Sequence, residues 1–227
     1  FWSDEIGFYA LALDKNKQPV LSVASNPGHL LWSGIVSKNR APSVVQRLMQ
    51  ADMWSGWGIR TLSSQHQAYN PHSYHRGSVW PHDNGIIAMG FQRYGFFDEA
   101  AAVARDISRA ASYFVGHRIP ELYAGTQREV DNFPVQYMGA NVPQAWAAGS
   151  TFHLLAAITG LRADAPSNML YVDPHLPRWL PNLSLHGMSV GDSVLDLHFT
   201  RQDQGTVWDV QLRSGSLQVA QKPWEPW

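Results

Sequence analysis

The chain contains no cysteine, which excludes disulfide scaffolds, thiolate metal sites and cysteine nucleophiles. That absence fits a reducing cytoplasm, the expected compartment, though a disulfide-free secreted domain would show the same composition. Charge is scarce as well, at 15% of the 227 residues against about 25% in typical soluble domains. With hydrophobic residues at 44%, so sparse a charge set implies that much of the surface is covered by something else. Neither sign dominates, with Lys plus Arg at 17 and Asp plus Glu at 18. There is no basic stripe to track a phosphate backbone, and nucleic acid is not an expected partner. No apolar run reaches the roughly 18 residues of a membrane span, so no membrane partner is expected. Ser55 and Ser78 each sit beside glycine but not in a nucleophile-elbow pattern. No Gly-rich phosphate loop occurs, and no cofactor is expected. An initiating methionine is missing too. The opening Phe1-Trp2-Ser3-Asp4-Glu5 reads as neither signal peptide nor tag, as the start of a trimmed piece of a longer chain would.

What is present divides into a helical part and a strand-rich end. Residues 7–13 and 18–23 are apolar around a polar turn and predict a hairpin. Asn26-Pro27 opens a helix through Ile35, and Ser43 starts a second with Val44, Val45, Leu48 and Met49 on one face. Residues 55–78 are rich in Gly, Ser, Asn and aromatics and read as a long functional loop. A helix follows from Trp80 to Tyr94, with Gly95 as its stop. Asp98 is expected to cap the next, whose stripe is Ala100, Val103, Ala104, Ile107, Ala111 and Phe114. The helix over 142–159 is apolar nearly all round, which predicts burial on most sides, as in the inner ring of a double-layered helical barrel. Past Pro166 the period becomes two, with Leu195, Leu197 and Phe199 alternating with polar residues, and likewise Trp208, Val210 and Leu212. The expected organisation is a helical domain at 1–165 and a small antiparallel β appendix at 166–227.

The densest polar and aromatic stretch runs from Ser73 to Asn84. A sugar site needs flat aromatic faces against C–H surfaces and fixed polar groups to orient hydroxyls. Trp80 and Tyr74 supply faces, and Arg76, His82 and Asp83 supply hydrogen bonds. Trp54 to Arg60, including Trp57, offers the same mixture, and Gln144 and Trp146 open the apolar helix with an amide and an indole. The plain alternative is loop anchoring, with Asp83 or Asn84 as helix caps. Glu121 stands between apolar neighbours and so can be tuned for proton transfer; Glu129 and Asp131 compete for that role. A metal site on His72-x-x-His75 or His82-Asp83 lacks a further carboxylate at a recognisable spacing, and none is expected.

Four strings, Trp57 to Ser63, Tyr69 to Asn84 (which includes His75), Pro120 to Tyr123 and Pro143 to Trp146, resemble the C-terminal half of bacterial glycogen-debranching proteins of the amylo-α-1,6-glucosidase type. They are similar, more distantly, to inverting glycosidases built as (α/α)6 barrels. The resemblance implies six inner and six outer helices, a substrate at one end of the inner ring, and two acidic catalytic residues. Glu121 matches the general base, while nothing here matches the upstream loop bearing the general acid. The residues between 24 and 163 hold about five or six helices of ordinary length. The expected fold is therefore mainly α, a partial (α/α)6 barrel (about half of a six-hairpin toroid) with the β appendix. Such a half would leave an exposed apolar face for the N-terminal remainder of the same protein or for self-association.

The function so expected is that of a fragment of a glycoside hydrolase acting on α-glucosidic substrates, oligosaccharide or α-glucan, with α-1,6-linked branch points suggested by the resemblance. The parent would be the enzyme and the isolated chain inactive. Other α-glucosides or a glycerate-linked sugar fit equally well. The competing readings are a non-catalytic carbohydrate-binding module and a structural helical module.

Overall fold

The computed structural model describes residues 1–226. The N-terminal segment forms two short ribbons. Strand β1 (Trp2–Ser3) pairs antiparallel with β2 (Phe8–Tyr9), and β3 (Ala12–Leu13) pairs with β4 (Pro19–Val20). The polar turn works as its residues dictate: Asp14 Oδ1 accepts from the backbone nitrogens of Asn16 and Gln18, each at 2.8 Å. The predicted hairpin thus forms, but its first strand is broken in two. Phe8 turns into the core while Leu11 and Leu13 stay exposed.

Five α-helices follow among the described residues: α1 (Pro27–Ser33), α2 (Ala41–Leu48), α3 (Pro81–Arg93), α4 (Phe97–Ala111) and α5 (Ala145–Thr159). Proline stands in the first turn of α1, α2 and α3, where its missing N–H costs nothing. Gly34 ends α1 and Gly160 ends α5, both in the left-handed region that suits glycine. Asp98 does not cap α4; that helix begins one residue earlier, and Asp98 lies inside its first turn. Neither Asp83 nor Asn84 caps α3, which has no side-chain cap.

Helix α3 is the centre of the fold, packing against α1, α4 and α5. Small residues permit the close approach. A Cβ at Gly90 would lie 2.7 Å from the Trp32 backbone nitrogen and 2.9 Å from the Gly28 carbonyl oxygen. Burial is the reverse of what apolar content predicts. The helix surrounded on most sides is α3, with Asp83, Asn84 and Gln92 among its buried residues. Helix α5 buries one side, through Ala147, Leu154, Ala157 and Ile158, and leaves Trp146 55% and Phe152 73% exposed. Its opposite side has nothing to rest on among the described residues.

Beyond Gly160 come β5 (Arg162–Asp164), β6 (Met169–Val172), β7 (Asn182–Val190), β8 (Ser193–Gln202), β9 (Gly205–Ser214) and β10 (Gln218–Gln221). Strands β7, β8 and β9 make an antiparallel meander whose alternation buries Leu195, Leu197 and Phe199. The other sheet, β10-β6-β5, corrects the expectation of a purely antiparallel appendix, because β10 returns parallel to β6.

The element count also corrects the expectation of a mainly α half-barrel. About 28% of the chain is helical and 25% is strand, in four sheets. Two of the helices have only 7 and 8 residues. The stretch from residue 49 to 80 is without helix or regular strand, and most of 112 to 144 is irregular too. The polar and aromatic composition of these segments sends their backbone hydrogen bonds to loops. One buried cluster runs from Phe8 through the helices to Leu217.

Candidate active site

The long loops are ordered by single bridges where strands would be. Arg60 bridges Val79, Val79 bridges Tyr123, and Tyr123 bridges Gln136. Val79 and Tyr123 exchange both backbone bonds, at 2.9 and 3.1 Å. Because Trp80 follows Val79 and Glu121 precedes Tyr123 by two residues, this pairing brings the aromatic stretch and the carboxylate to one place. Tight backbone contact fixes it: a Cβ at Gly125 would fall on the Gly77 carbonyl oxygen.

Glu121 is 6% exposed, and each carboxylate oxygen is held. Tyr74 Oη donates to Oε1 in a short hydrogen bond. The Asn141 backbone nitrogen and Nδ2 donate to Oε2, at 3.2 and 3.1 Å. The Tyr74 hydroxyl holds the Glu121 carboxyl below its ordinary range, with Asn141 and nearby His82 adding to the effect against the opposing push of burial. The same bond raises the Tyr74 phenol. The carboxylate is therefore ionised and fixed in orientation at neutral pH.

Rings surround it. Tyr74 meets Trp80 edge-on with centroids 4.7 Å apart, and His75 stacks parallel to Trp80 at 5.5 Å. Tyr137 stands edge-on to Tyr74 at 5.5 Å. His82 stacks on Trp146 at 3.9 Å, tying the start of α3 to the start of α5. Trp80 Nε1 donates to the Tyr74 carbonyl at 3.0 Å, so the aromatic surface is pinned by its own polar edge.

Behind these rings lies a polar cluster. Asp83, 7% exposed, accepts at Oδ1 from His29 Nε2 at 2.6 Å. That bond raises the His29 pKa. Burial lowers those of His82 and His153. His82 Nδ1, Asp83 Oδ2 and His153 Nδ1 are buried without a protein partner.

The remaining sequence candidates hold the loops in place. Arg60 is buried and spends its guanidinium on the carbonyls of Gly125 at 2.6 Å and Ala51 at 2.9 Å, and on Gln127 Oε1 at 3.0 Å. Trp57 lies in the core with Arg128 over its ring at 4.9 Å. Arg76 is exposed and donates to Ser73 Oγ at 3.2 Å. Gln144 accepts from the Ala147 nitrogen at 2.9 Å as the N-cap of α5. Glu129 and Asp131 are exposed. Sequence reasoning missed His29, Asn141, Tyr137 and His153. Each comes from a distant segment with no local signal, and only Asn141, just before Pro143-Gln144, lay beside a quoted string.

Comparison with known proteins places the chain in a family. The family described as the mannosylglycerate hydrolase MGH1-like glycoside hydrolase domain matches residues 1–126, more than half of the chain. A mannosylglycerate hydrolase of Thermus thermophilus is 29% identical over 109 residues, 46% of this chain and 25% of that protein. Among solved structures, a GH63 mannosylglycerate hydrolase from a second strain of that species, in complex with Tris and D-glycerate, aligns over 67% of this chain and 34% of its own. It does so with a TM-score of 0.52 and 21% identity. The neutral trehalase of Saccharomyces cerevisiae aligns over 69% and 27%, with a TM-score of 0.51 and 18% identity. At those identities the structures show a shared fold, and the match spans about a quarter of the curated relative's length. The chain belongs to the MGH1-like glycoside hydrolase domain family.

Proposed function

We propose that this chain supplies the base-bearing wall of a glycoside hydrolase cleft working by an inverting, two-carboxylate mechanism. Glu121 is the general base, taking a proton from the water that attacks the anomeric carbon. The general acid, which protonates the leaving oxygen, comes from outside the chain. The observation that carries this reading is the Glu121 carboxylate, fixed by Tyr74 and Asn141 beside the Trp80 and His75 rings. An inverting base must be ionised before water arrives, and the lowered Glu121 pKa meets that need. His75, His82 and Trp146 present ring surface to the sugar, backed by the buried Trp80. Asp83, committed to His29, positions substrate.

The substrate on this reading is a small glycoside. The relatives named for mannosylglycerate, with a trehalase of similar fold, favour a compact sugar with a small second group over the branch points of an α-glucan. Residues 1–165 carry the sugar wall and residues 166–226 brace it. The exposed Trp146 and Phe152 mark where further segments of a longer protein, or a second copy, complete the cleft. The test is Glu121→Gln in the protein that carries this chain, assayed on mannosylglycerate, trehalose and isomaltose. Loss of a general base lowers kcat by about 10²–10⁴-fold, and binding should persist. Full turnover by the variant would remove Glu121 from the chemistry. Preference for isomaltose would restore the α-1,6 reading, and binding without turnover by the unaltered protein would favour a carbohydrate-binding module.

A further inference from the structure

The outer face of the C-terminal meander carries a cluster the sugar chemistry does not use. The β7–β8 ladder shifts register between Leu185 and Met188, and Gly187 takes φ 63 there. This bulge re-aims His186 toward β8, where Asp196 and His198 lie two residues apart on one face. His186 Nδ1 lies 3.3 Å from Asp196 Oδ2, and the two imidazole rings are 5.3 Å apart between centroids. One ligand atom from each of His186, Asp196 and His198 lies within 4.8 Å of the other two.

We infer that His186, Asp196 and His198 form a binding site for a divalent transition ion of the Zn²⁺ class, bridging β7 and β8 across the bulge. Two imidazoles and one carboxylate suit zinc, whose Zn–N and Zn–O distances are about 2.0–2.2 Å. They do not suit Ca²⁺ or Mg²⁺, which take oxygen shells. The supporting shell is already built. Ser184 Oγ is 2.9 Å from His198 Nδ1, a contact that occupies that nitrogen and leaves Nε2 as the ligand atom. The Gly187 nitrogen donates to Asp196 Oδ1 at 2.8 Å and Arg213 Nη2 donates to Oδ2 at 2.5 Å. Each carboxylate oxygen has two lone-pair sites, so these donors fix Asp196 and leave a site for the ion. Arg213 is half-exposed, so its guanidinium can swing aside as the ion competes for Oδ2. His186 is 59% exposed and swings the short distance that closes the shell, with water as fourth ligand.

Titration of the metal-stripped protein with Zn²⁺, followed by calorimetry and thermal unfolding, tests the site. One Zn²⁺ per chain should bind and raise Tm by several degrees, and Mg²⁺ should do neither. His186→Ala and His198→Ala should each weaken binding by at least about tenfold, the scale of lost metal-site contacts. Their exposed or half-buried positions leave the fold intact, which circular dichroism checks. Absence of stoichiometric binding, or Zn²⁺ affinity unchanged in both variants, overturns the assignment.

Discussion

Substituting His29 tests whether the buried carboxylate behind the aromatic surface depends on one partner. Asp83 Oδ1 is bonded to His29 at 2.6 Å, while Oδ2 has no protein partner. In His29→Ala a nearly buried carboxylate loses its side-chain donor and keeps only the field at the start of α3, worth about 0.3–1 kcal/mol. A hydrogen bond to a charged group contributes about 1.5–3 kcal/mol. Because the His29 side chain is 40% exposed, screening reduces this to about 1–2 kcal/mol. With a urea slope of about 2–3 kcal/mol/M, the midpoint falls by about 0.3–1 M. The penalty depends on pH with a definite sign. Asp83 raises the His29 pKa above its ordinary 6.5, so the charged pair stabilises fully below that value. Its contribution is lost as pH rises through the folded value. The midpoint gap between wild type and His29→Ala should therefore be wide near pH ~5.5 and narrow near pH ~8.5, where a neutral hydrogen bond remains. Equal gaps at both pH values would refute a charged His29–Asp83 pair.

Tyr74→Phe removes the donor to Glu121 Oε1, letting the carboxyl pKa rise toward its ordinary range. The acidic limb of kcat/KM for the full enzyme should move to higher pH; an unmoved limb would show that Tyr74 does not tune the base. Gly125→Ala places a methyl against the Gly77 carbonyl oxygen. Since backbone cannot step aside cheaply, stability should fall by about 1–3 kcal/mol. At about 2–4 °C per kcal/mol, scanning calorimetry would reveal it, and a wild-type Tm would argue against the close contact.

Much of the helical part is legible in the sequence because its signals are local. Pro27, Pro81 and Gly95 punctuate helices by their own backbone chemistry, and the Ala100 to Ile107 stripe declares its buried side. The alternation around Leu195 likewise gives β8. Burial of whole helices was not legible. Helix α5 is apolar all round yet covered on one side, and α3 hides Asp83 and Asn84 because partners outside the helix hold them: Asn84 bonds Ile59 and Trp80, and Asp83 Oδ1 bonds His29. The candidate site divides the same way. The Tyr74 to Asp83 stretch and Glu121 stand out as residue types in context, whereas Asn141 and His29 reach the cluster through pairings that no periodicity encodes. Arg60 shows the converse, a polar residue in a conspicuous string that is consumed as a loop clamp.

The grip on Glu121 makes its two oxygens inequivalent. One answers to a phenol from the 55–78 loop and the other to an amide from the segment before α5, so the carboxylate plane cannot turn without breaking a bond to either. Displacement of Asn141, whether by mutation or by an incoming saccharide, would rotate the carboxylate lone pairs that receive a proton if Glu121 is the base proposed above. On the proposed mechanism the direction from which water attacks the sugar would thereby be set by two strangers in the chain, and a change far from the reacting atoms would alter rate while leaving affinity untouched.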